Sequence, residues 1–493
     1  MPKPVTTGCL RALILASLVG LASMGTGAQT PLVSVTNAGS EAQAAWRAAS
    51  RLGYAPTPAW VPAASAAPKA WAVQQVDAAY VASQKAAAIP PELTRINAPI
   101  ADIARGIQAE NEARKKLRAQ VLAQANEAVK VPPPAANAAD ADILEFSRHL
   151  ADNAAAWRLM SCSDPALENP LLARMTEFWF NHLNVFAGKA QVRPFVGDYL
   201  VNVIRTHALG RFEDLLLASA KHPAMLIYLN QAKSNSRGLN ENYARELMEL
   251  HTLGVDGGYT QNDVRELARI LTGWTTNMPA GEGFRFNERL HDNASKLLLG
   301  RTYANEGVKE GEDAIRFLAH QPATAHRIAQ RLATFFVADA PPAALVKRLE
   351  TTFLSSQGDI RAVMHTLVAS PEFWAVNNQL FKTPMDFACS ALTAAGGVKD
   401  KRDISQTVGF LAQAGQPLHG WQTPDGYKTD AATWLAPEAL TRRADFAMSL
   451  APRISEPEYL NAFLSPATQE RIAREPVNTR AGLMLASPDF MRK

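Results

Sequence analysis

The stretch Asn240-Glu241-Asn242-Tyr243-Ala244-Arg245-Glu246-Leu247-Met248-Glu249-Leu250-His251-Thr252-Leu253-Gly254 contains no proline, is dense in Leu, Met, Glu and Arg, and is closed by a glycine. That pattern predicts a helix from Asn240 to Leu253 stopped by Gly254. On the helical projection Glu241, Arg245 and Glu249 fall four apart, as an ion-pair stripe facing water. Tyr243, Leu247 and Leu250 define the opposite, core-facing side. Glu246 and His251 lie on the flanks of that apolar arc, with Asn240 near its start. An acid beside a core face is costly to desolvate unless it is paired, so Glu246 is expected to have a definite partner.

The same grammar recurs along the chain from Asp140. Asn169-Pro170 is an N-cap followed by proline at the first helical position, and it opens a helix through Phe186. Pro194 opens another that ends at Gly210. Thr260-Gln261-Asn262-Asp263 is a capping-box variant opening a further helix stopped by Gly273. Proline-started helices also begin near Pro322, Pro342, Pro371, Pro384 and Pro437. Only Phe284-Arg285-Phe286 and Lys296 to Tyr303 read as extended, as one small hairpin. The expected fold class is all-α: a main helical domain over 140–493 with at most a small β-hairpin, preceded by a long arm helix. A short echo, Leu367-Val368-Ala369-Ser370-Pro371-Glu372-Phe373 and Met484-Leu485-Ala486-Ser487-Pro488-Asp489-Phe490, reads as a helix end followed by a Ser-capped, Pro-started turn carrying an anchoring Phe.

Ile100 to Val131 holds no proline and one glycine. Ile100, Ile103, Ile107, Leu117 and Val121 follow three-four spacing, interrupted by Glu110 and Arg114, and such a helix reaches about 45 Å. Its thin apolar stripe leaves two readings open, a solvated helix packed along the domain or a projecting arm for a partner. Pro132-Pro133-Pro134 then makes a stiff break. Residues 29–99 form an Ala/Pro-rich segment in which Glu41 to Leu52 reads as a helix. Trp46, Trp60 and Trp71 suggest that parts of it lie against the main body.

Ahead of this, Lys3 and Arg11 precede an apolar run from Ala12 to Met24, and Gly25-Thr26-Gly27-Ala28 supplies small residues for cleavage. Residues 1–28 therefore read as a signal peptide, giving an exported, periplasmic or extracellular protein. The apolar run is short of the roughly 20 residues of a membrane span. The whole chain of 493 residues carries a formal charge of +4, with 50 basic and 46 acidic side chains. Losing the two leader cations brings +4 down to +2. That near-balance argues against a nucleic-acid partner. Of three cysteines, Cys9 leaves with the leader; Cys162 and Cys389 leave open either one disulfide or two buried thiols.

Polar chemistry sits on several apolar faces. Leu171, Met175 and Phe178 put His182 on their own side of a helix, and Leu200 and Val203 do the same for His207. A loop after the extended segment adds His291-Asp292, with Lys296 four residues beyond Asp292. His, Glu and Asp are the usual ligand and acid–base types, so Glu246, His251, His182, His291 and Asp292 form the candidate catalytic set. The expected chemistry is hydrolytic, with or without assistance from a metal, at a site between helices; the metal, like any other cofactor, is unknown. The plain alternative for each residue is structural: a core histidine bonded to a carbonyl, or a Glu paired with Arg205 or Arg269. No H-E-x-x-H, G-x-S-x-G, Walker loop or dinucleotide fingerprint occurs. Thr252 to Asp263 resembles half of a calcium loop, but Thr252 and Gly254 stand where oxygen-rich ligands are needed, so a plain turn accounts for it better. Trp421, Tyr427 and Trp434, near His419, cluster around Thr423-Pro424-Asp425-Gly426, as a loop that either stacks on a ligand or folds back to cap the core.

The long motif from Asn240 to Gly254, followed by Gly258-Tyr259-Thr260-Gln261, resembles the signature of the bacterial domain of unknown function 1800. Supporting stretches are Phe178-Trp179-Phe180-Asn181-His182, His207-Ala208-Leu209-Gly210-Arg211-Phe212, His222-Pro223-Ala224-Met225-Leu226, His291-Asp292 with Lys296, Pro322-Ala323-Thr324-Ala325, Lys382-Thr383-Pro384, and Gly415-Gln416-Pro417-Leu418 with Pro424-Asp425-Gly426-Tyr427. The resemblance runs from roughly residue 90 to the C-terminus. It implies a helical, exported bacterial protein, often encoded beside sulfatase-like proteins of domain of unknown function 1501. That gives the alternative reading, a non-enzymatic binding or assembly protein acting with such a co-secreted partner. The resemblance implies no established activity. Two departures stand out: Phe180 where many relatives carry a second histidine, and Gln321-Pro322 where they carry His-Pro.

The leader reading predicts a mature N-terminus at Gln29. N-terminal sequencing of the exported protein checks it, and retention of residues 1–28 in a cytoplasmic product would refute it.

Overall fold

The computed structural model describes residues 41–58, 60–126, 138–189 and 191–493. The expected leader over 1–28 and the Pro132-Pro133-Pro134 break lie outside them. Proline opens the helices Pro170–His182, Pro322–Phe336, Pro384–Ala394 and Pro437–Leu450. The missing amide costs nothing there, because first-turn N–H groups have no intrahelical acceptor. Asn169 Oδ1 accepts from Leu172 N at 3.1 Å, and Thr260 with Asp263 closes a capping box. The fold is all-α apart from two two-stranded antiparallel sheets.

Those sheets correct the single expected hairpin. Trp274–Asn277 pairs with Glu282–Phe286, and Lys296–Leu298 pairs with Arg301–Tyr303. The second pair turns through Leu299 and Gly300 at φ 46° and 76°, the left-handed geometry that matches strand twist. The two extended stretches therefore belong to different hairpins, and each finds its partner locally.

The helix expected from Asn240 to Leu253 is shorter and changes its winding. Asn242–Glu246 is α-helical, and Leu247–His251 widens into a π-helix. Thr252 Oγ1 donates to Leu247 O at 2.7 Å, and Gly254, at φ 87°, donates its N–H to Met248 O at 3.1 Å. The added residue per turn rotates the end of the helix away from the straight projection. His251 is thereby turned into the core while Glu246 stays partly exposed.

Apolar side chains gather in two clusters, a larger one spanning residues 45–373 and a smaller one built mainly from 381–491. A Cys162–Cys389 disulfide joins Phe146–Ser163 to Pro384–Ala394, which resolves the choice left open between a bridge and two thiols. The sequence echo has one geometry in both copies. Ser370 Oγ caps Phe373 N at 3.3 Å and Ser487 Oγ caps Phe490 N at 3.2 Å, with both rings buried. Both turns hold the Glu41–Leu52 helix: the Arg51 guanidinium lies 5.4 Å over Phe373, and Trp46 sits 6.4 Å from Phe490. Trp60 and Trp71 meet edge-on at 5.5 Å, so the Ala/Pro-rich segment does lie against the body.

The arm helix runs over Ile100–Asn126; residues 127–131 of the expected span lie outside the described residues. It packs along its first half through buried Ile103 and Ala104. Glu110 is buried too, paired with Arg114 at 2.8 Å and accepting from Ser147 N at 3.2 Å. From Lys115 to Ala123 the helix is exposed, with Leu117, Val121 and Leu122 at 42%, 50% and 57%.

The disulfide closes a sequence separation of 227 residues, so its loss frees much unfolded-state entropy. The double substitution Cys162→Ala/Cys389→Ala is expected to lower the unfolding free energy by about 2–5 kcal/mol. Calorimetry reads this as a lower Tm, and an unchanged Tm would show that the bridge adds nothing to the packed cores.

Candidate functional site

The candidate residues fall into three settings. His182, at the end of Pro170–His182, donates Nε2–H to the His251 carbonyl at 3.0 Å, and the two rings lie 6.3 Å apart. Phe178, expected on the same helical face, stacks on His182, and Trp179 meets it edge-on. Burial, with the charges of Arg331 and Arg327, holds His182 well below the usual imidazole range. Burial, Arg327 and Arg331 push His251 down to about 3. Both rings are therefore neutral at ordinary pH, and His182 Nδ1 and His251 Nε2 are buried without a hydrogen-bond partner among the described residues.

His291 and Asp292 belong to a different cluster. His291 Nδ1 donates to Thr272 O at 2.8 Å, its Nε2 lies 3.4 Å from Glu310, and Lys296 Nζ lies 2.7 Å from Glu310. These three side chains are wholly buried. Asp292 accepts from Arg269 Nε at 2.8 Å, and that hydrogen bond holds its carboxyl below the usual range. Among the described residues no hydrogen bond or ion pair links this cluster to His182, His251 or Glu246. Nor do the suggested arginine partners reach Glu246: Arg205 pairs with Glu168, and Arg269 with Glu266 and Asp292. The Glu246 side chain has no hydrogen bond or ion pair to any described residue. Its partial exposure lets water serve instead. His207, by contrast, meets the plain expectation, with Nδ1 bonded to Val203 O at 2.8 Å.

What the fold does bring to Glu246 is the Pro424-Asp425-Gly426-Tyr427 loop. Asn181 Oδ1 accepts from Tyr427 N at 2.8 Å and its Nδ2 donates to Tyr427 O at 3.0 Å. Asn184 Nδ2 donates to Trp421 O at 3.1 Å and Thr423 O at 2.8 Å, and Tyr228 OH donates to Gln422 O at 2.7 Å. Tyr427 OH donates to Glu177, which Arg158 pairs from the other side. Gly426 has φ 73°, and a Cβ there would stand 2.2 Å from Asn181 O, so only glycine lets the loop approach. The aromatic loop thus folds back onto the core and leaves Asp425 exposed at its tip.

Burial foremost, then the Glu249 carboxylate, raise the Glu246 carboxyl; Arg245 opposes them and Asp425 adds to the rise. Arg331, from Pro322–Phe336, is drawn down to about 10 by burial and Arg327, with Tyr427 and Asp425 opposing. It has no acidic ion-pair partner among the described residues. Under the loop lies a cavity of about 40 Å³ lined by Glu177, Asn181, Asn184, Phe180 and His419, room for a water or two. His419 has φ 53°, its carbonyl accepts from Ala187 N at 3.0 Å, and its ring stands 4.9 Å from Phe180. Burial and Arg158 push the His419 ring down to about 3.

Asp425 and Arg331 were missed as site residues. Asp425 sits in a turn motif that reads as an aromatic loop, and Arg331 reads as the polar face of an amphipathic helix. The available signal was Arg327 and Arg331 four apart, with no acid three or four residues away on that helix. Among the described residues no group of three or more His, Cys, Asp or Glu side chains is placed to hold a metal ion. No helix among them is long and apolar enough to cross a membrane.

The profile of a family described as protein of unknown function (DUF1800) matches residues 47–492, reaching further towards the N-terminus than the quoted motifs. No curated protein and no solved structure matches the chain.

The buried histidines have a consequence for pH. Folded His251 and His419 titrate near about 3, against 6.5 for a free ring. Their contribution to stability is therefore fully present above about 6.5 and is lost as pH falls towards about 3, where the unfolded chain binds protons that the folded rings refuse. Each ring adds a slope of about 1.4 kcal/mol per pH unit in that window. Urea denaturation from pH 7 to pH 4 should show the slope, and His251→Gln should flatten it by one ring's share. An identical slope in the variant would contradict the assignment.

Proposed function

The chain belongs to the family described as protein of unknown function (DUF1800), and from that premise we propose an exported hydrolytic enzyme whose proton-transfer group is Glu246. One observation carries this reading. Of the two predicted site residues that keep water access, Asp292 is held low by Arg269, whereas the Glu246 carboxyl is raised by burial and by neighbouring carboxylates, including Asp425 from a remote loop. A carboxyl raised towards neutrality beside a second carboxylate can give a proton to a leaving group while its neighbour activates water. Arg331 and Arg327 supply positive charge for an oxyanion. His182 and His251 hold the π-turn that carries Glu246 and take no proton themselves. Export is supported by the leader pattern and by the Cys162–Cys389 bridge, since disulfides persist in oxidising compartments.

A second reading, a non-enzymatic assembly protein acting with a co-secreted sulfatase-like partner, is favoured by the exposed Leu117, Val121 and Leu122 on the arm helix.

Glu246→Gln separates the two. Against chromogenic esters, phosphoesters, amides and glycosides, the wild type is expected to turn over one class, and the variant to lose about 10²–10⁴-fold with Tm unchanged or raised. Turnover retained in the variant, or absent in the wild type for every class, would sink the enzyme reading and favour the assembly one.

A further inference from the structure

A larger cavity, of about 670 Å³, opens between the arm helix and the segments Arg193–Phe195, Pro223–Tyr228 and Gln231–Lys233. Its volume lies within the roughly 300–1,000 Å³ of small-molecule sites. It shares no lining residue with the Glu246 and Asp425 site. Phe195 and Leu226 are fully buried in its floor, and Ile107 and Met278 are partly so.

The charge on its walls is one-sided. Lys189, Arg193 and Lys233 line one side and Arg114 stands on the arm helix opposite. The one acid among its described lining residues, Glu110, is already taken by Arg114 and by Ser147. Lys189 Nζ donates to Ile227 O at 2.7 Å, Tyr228 O at 2.9 Å and Asn230 Oδ1 at 3.0 Å, which fixes its ammonium in place. Arg193 spends Nε on Ala187 O at 3.2 Å. Neither Arg193 nor Lys233 has an acidic partner among the described residues. Burial, and then the charge of Lys233, lower the Lys189 ammonium, so these cations repel one another across a partly desolvated wall. Such a wall is relieved by a bound anion, and the partly exposed Ile107, Ile227 and Met278 give the cleft an apolar side beside its polar lining.

We propose that this cleft binds an amphiphilic anion: one phosphate or carboxylate head held by Arg193 and Lys233 beside Lys189, and an apolar segment laid over the partly exposed Ile107, Ile227 and Met278. The head can belong to a bilayer lipid or to a free amphiphile; the recognition chemistry is the same.

Titration calorimetry of the full mature protein with octyl phosphate tests the proposal. Octyl phosphate should bind, and inorganic phosphate and octyl glucoside should each bind at least tenfold more weakly. Arg193→Gln/Lys233→Gln should lose at least tenfold in affinity, and Lys347→Gln, on a remote exposed helix face, should lose nothing. Lys233→Glu alone, at an exposed position, keeps the test decisive should the double variant misfold; it too should lose at least tenfold. Co-sedimentation with phosphatidylglycerol-containing vesicles then identifies a bilayer lipid as the source, and octyl phosphate binding without co-sedimentation identifies a free amphiphile; both outcomes support the cleft. Undetectable octyl phosphate binding, equal binding of octyl glucoside or of inorganic phosphate, or an affinity untouched by Lys233→Glu, would overturn it.

Discussion

The Pro170–His182 helix is buried along its whole length, yet it carries Arg174, Glu177, Asn181 and His182. A buried charge left unpaired costs several kcal/mol, so each of these groups demands a partner at a fixed place. Arg174 meets Asp386, Glu177 meets Arg158 and Tyr427, Asn181 meets the Tyr427 backbone, and His182 meets the His251 carbonyl. Burial raises the Asp386 carboxyl, but Arg174 and the side chain of Lys493 outweigh it and hold it well below the usual range. One helix thereby positions the Pro384–Ala394 helix, the 421–427 loop and the π-turn at His251.

That arrangement separates two kinds of polar group. The histidines, and the Glu310 cluster with Lys296, lie out of water, where imidazole is kept neutral and the acid is matched by a lysine. They hold segments together. Glu246 and Asp425 lie where water reaches, Glu246 beside the π-turn that His182 holds and Asp425 on the loop that Asn181 clamps, and a carboxyl there can exchange a proton with solvent. The rigid part of the network is thus the support for the labile part.

The two apolar clusters meet along the same helix, and further ties cross between them. The disulfide joins the 146–163 and 384–394 helices, and the Glu41–Leu52 helix bridges the Phe373 turn of one cluster and the Phe490 turn of the other. Arg51 donates to the carbonyls of Phe373 and Asn378, so a segment rich in Ala and Pro is held by a buried guanidinium as much as by apolar contact. The arm helix belongs to this frame through Ile103 and Glu110 and leaves it beyond Arg114.

Features set by neighbours in the chain could be read without coordinates. The proline-started helices, the Thr260–Asp263 capping box, the paired Ser-Pro-Phe anchors and the Glu241–Arg245–Glu249 stripe each depend on residues within about one helical turn. The second hairpin, the π-widened turn and the partners of each buried charge were not legible. His182 was correctly placed on a core face, whereas His251 was placed on the flank of one and is turned inward by the π-widening; their meeting comes from packing between remote segments. Asp425 comes near enough to raise the Glu246 carboxyl because Asn181, with Asn184 and Tyr228, clamps a loop some two hundred residues away in sequence. Local propensity specifies an element's type and its apolar face; which polar groups then share a site is set by where desolvated charges can find partners, and that requires the whole chain to be folded.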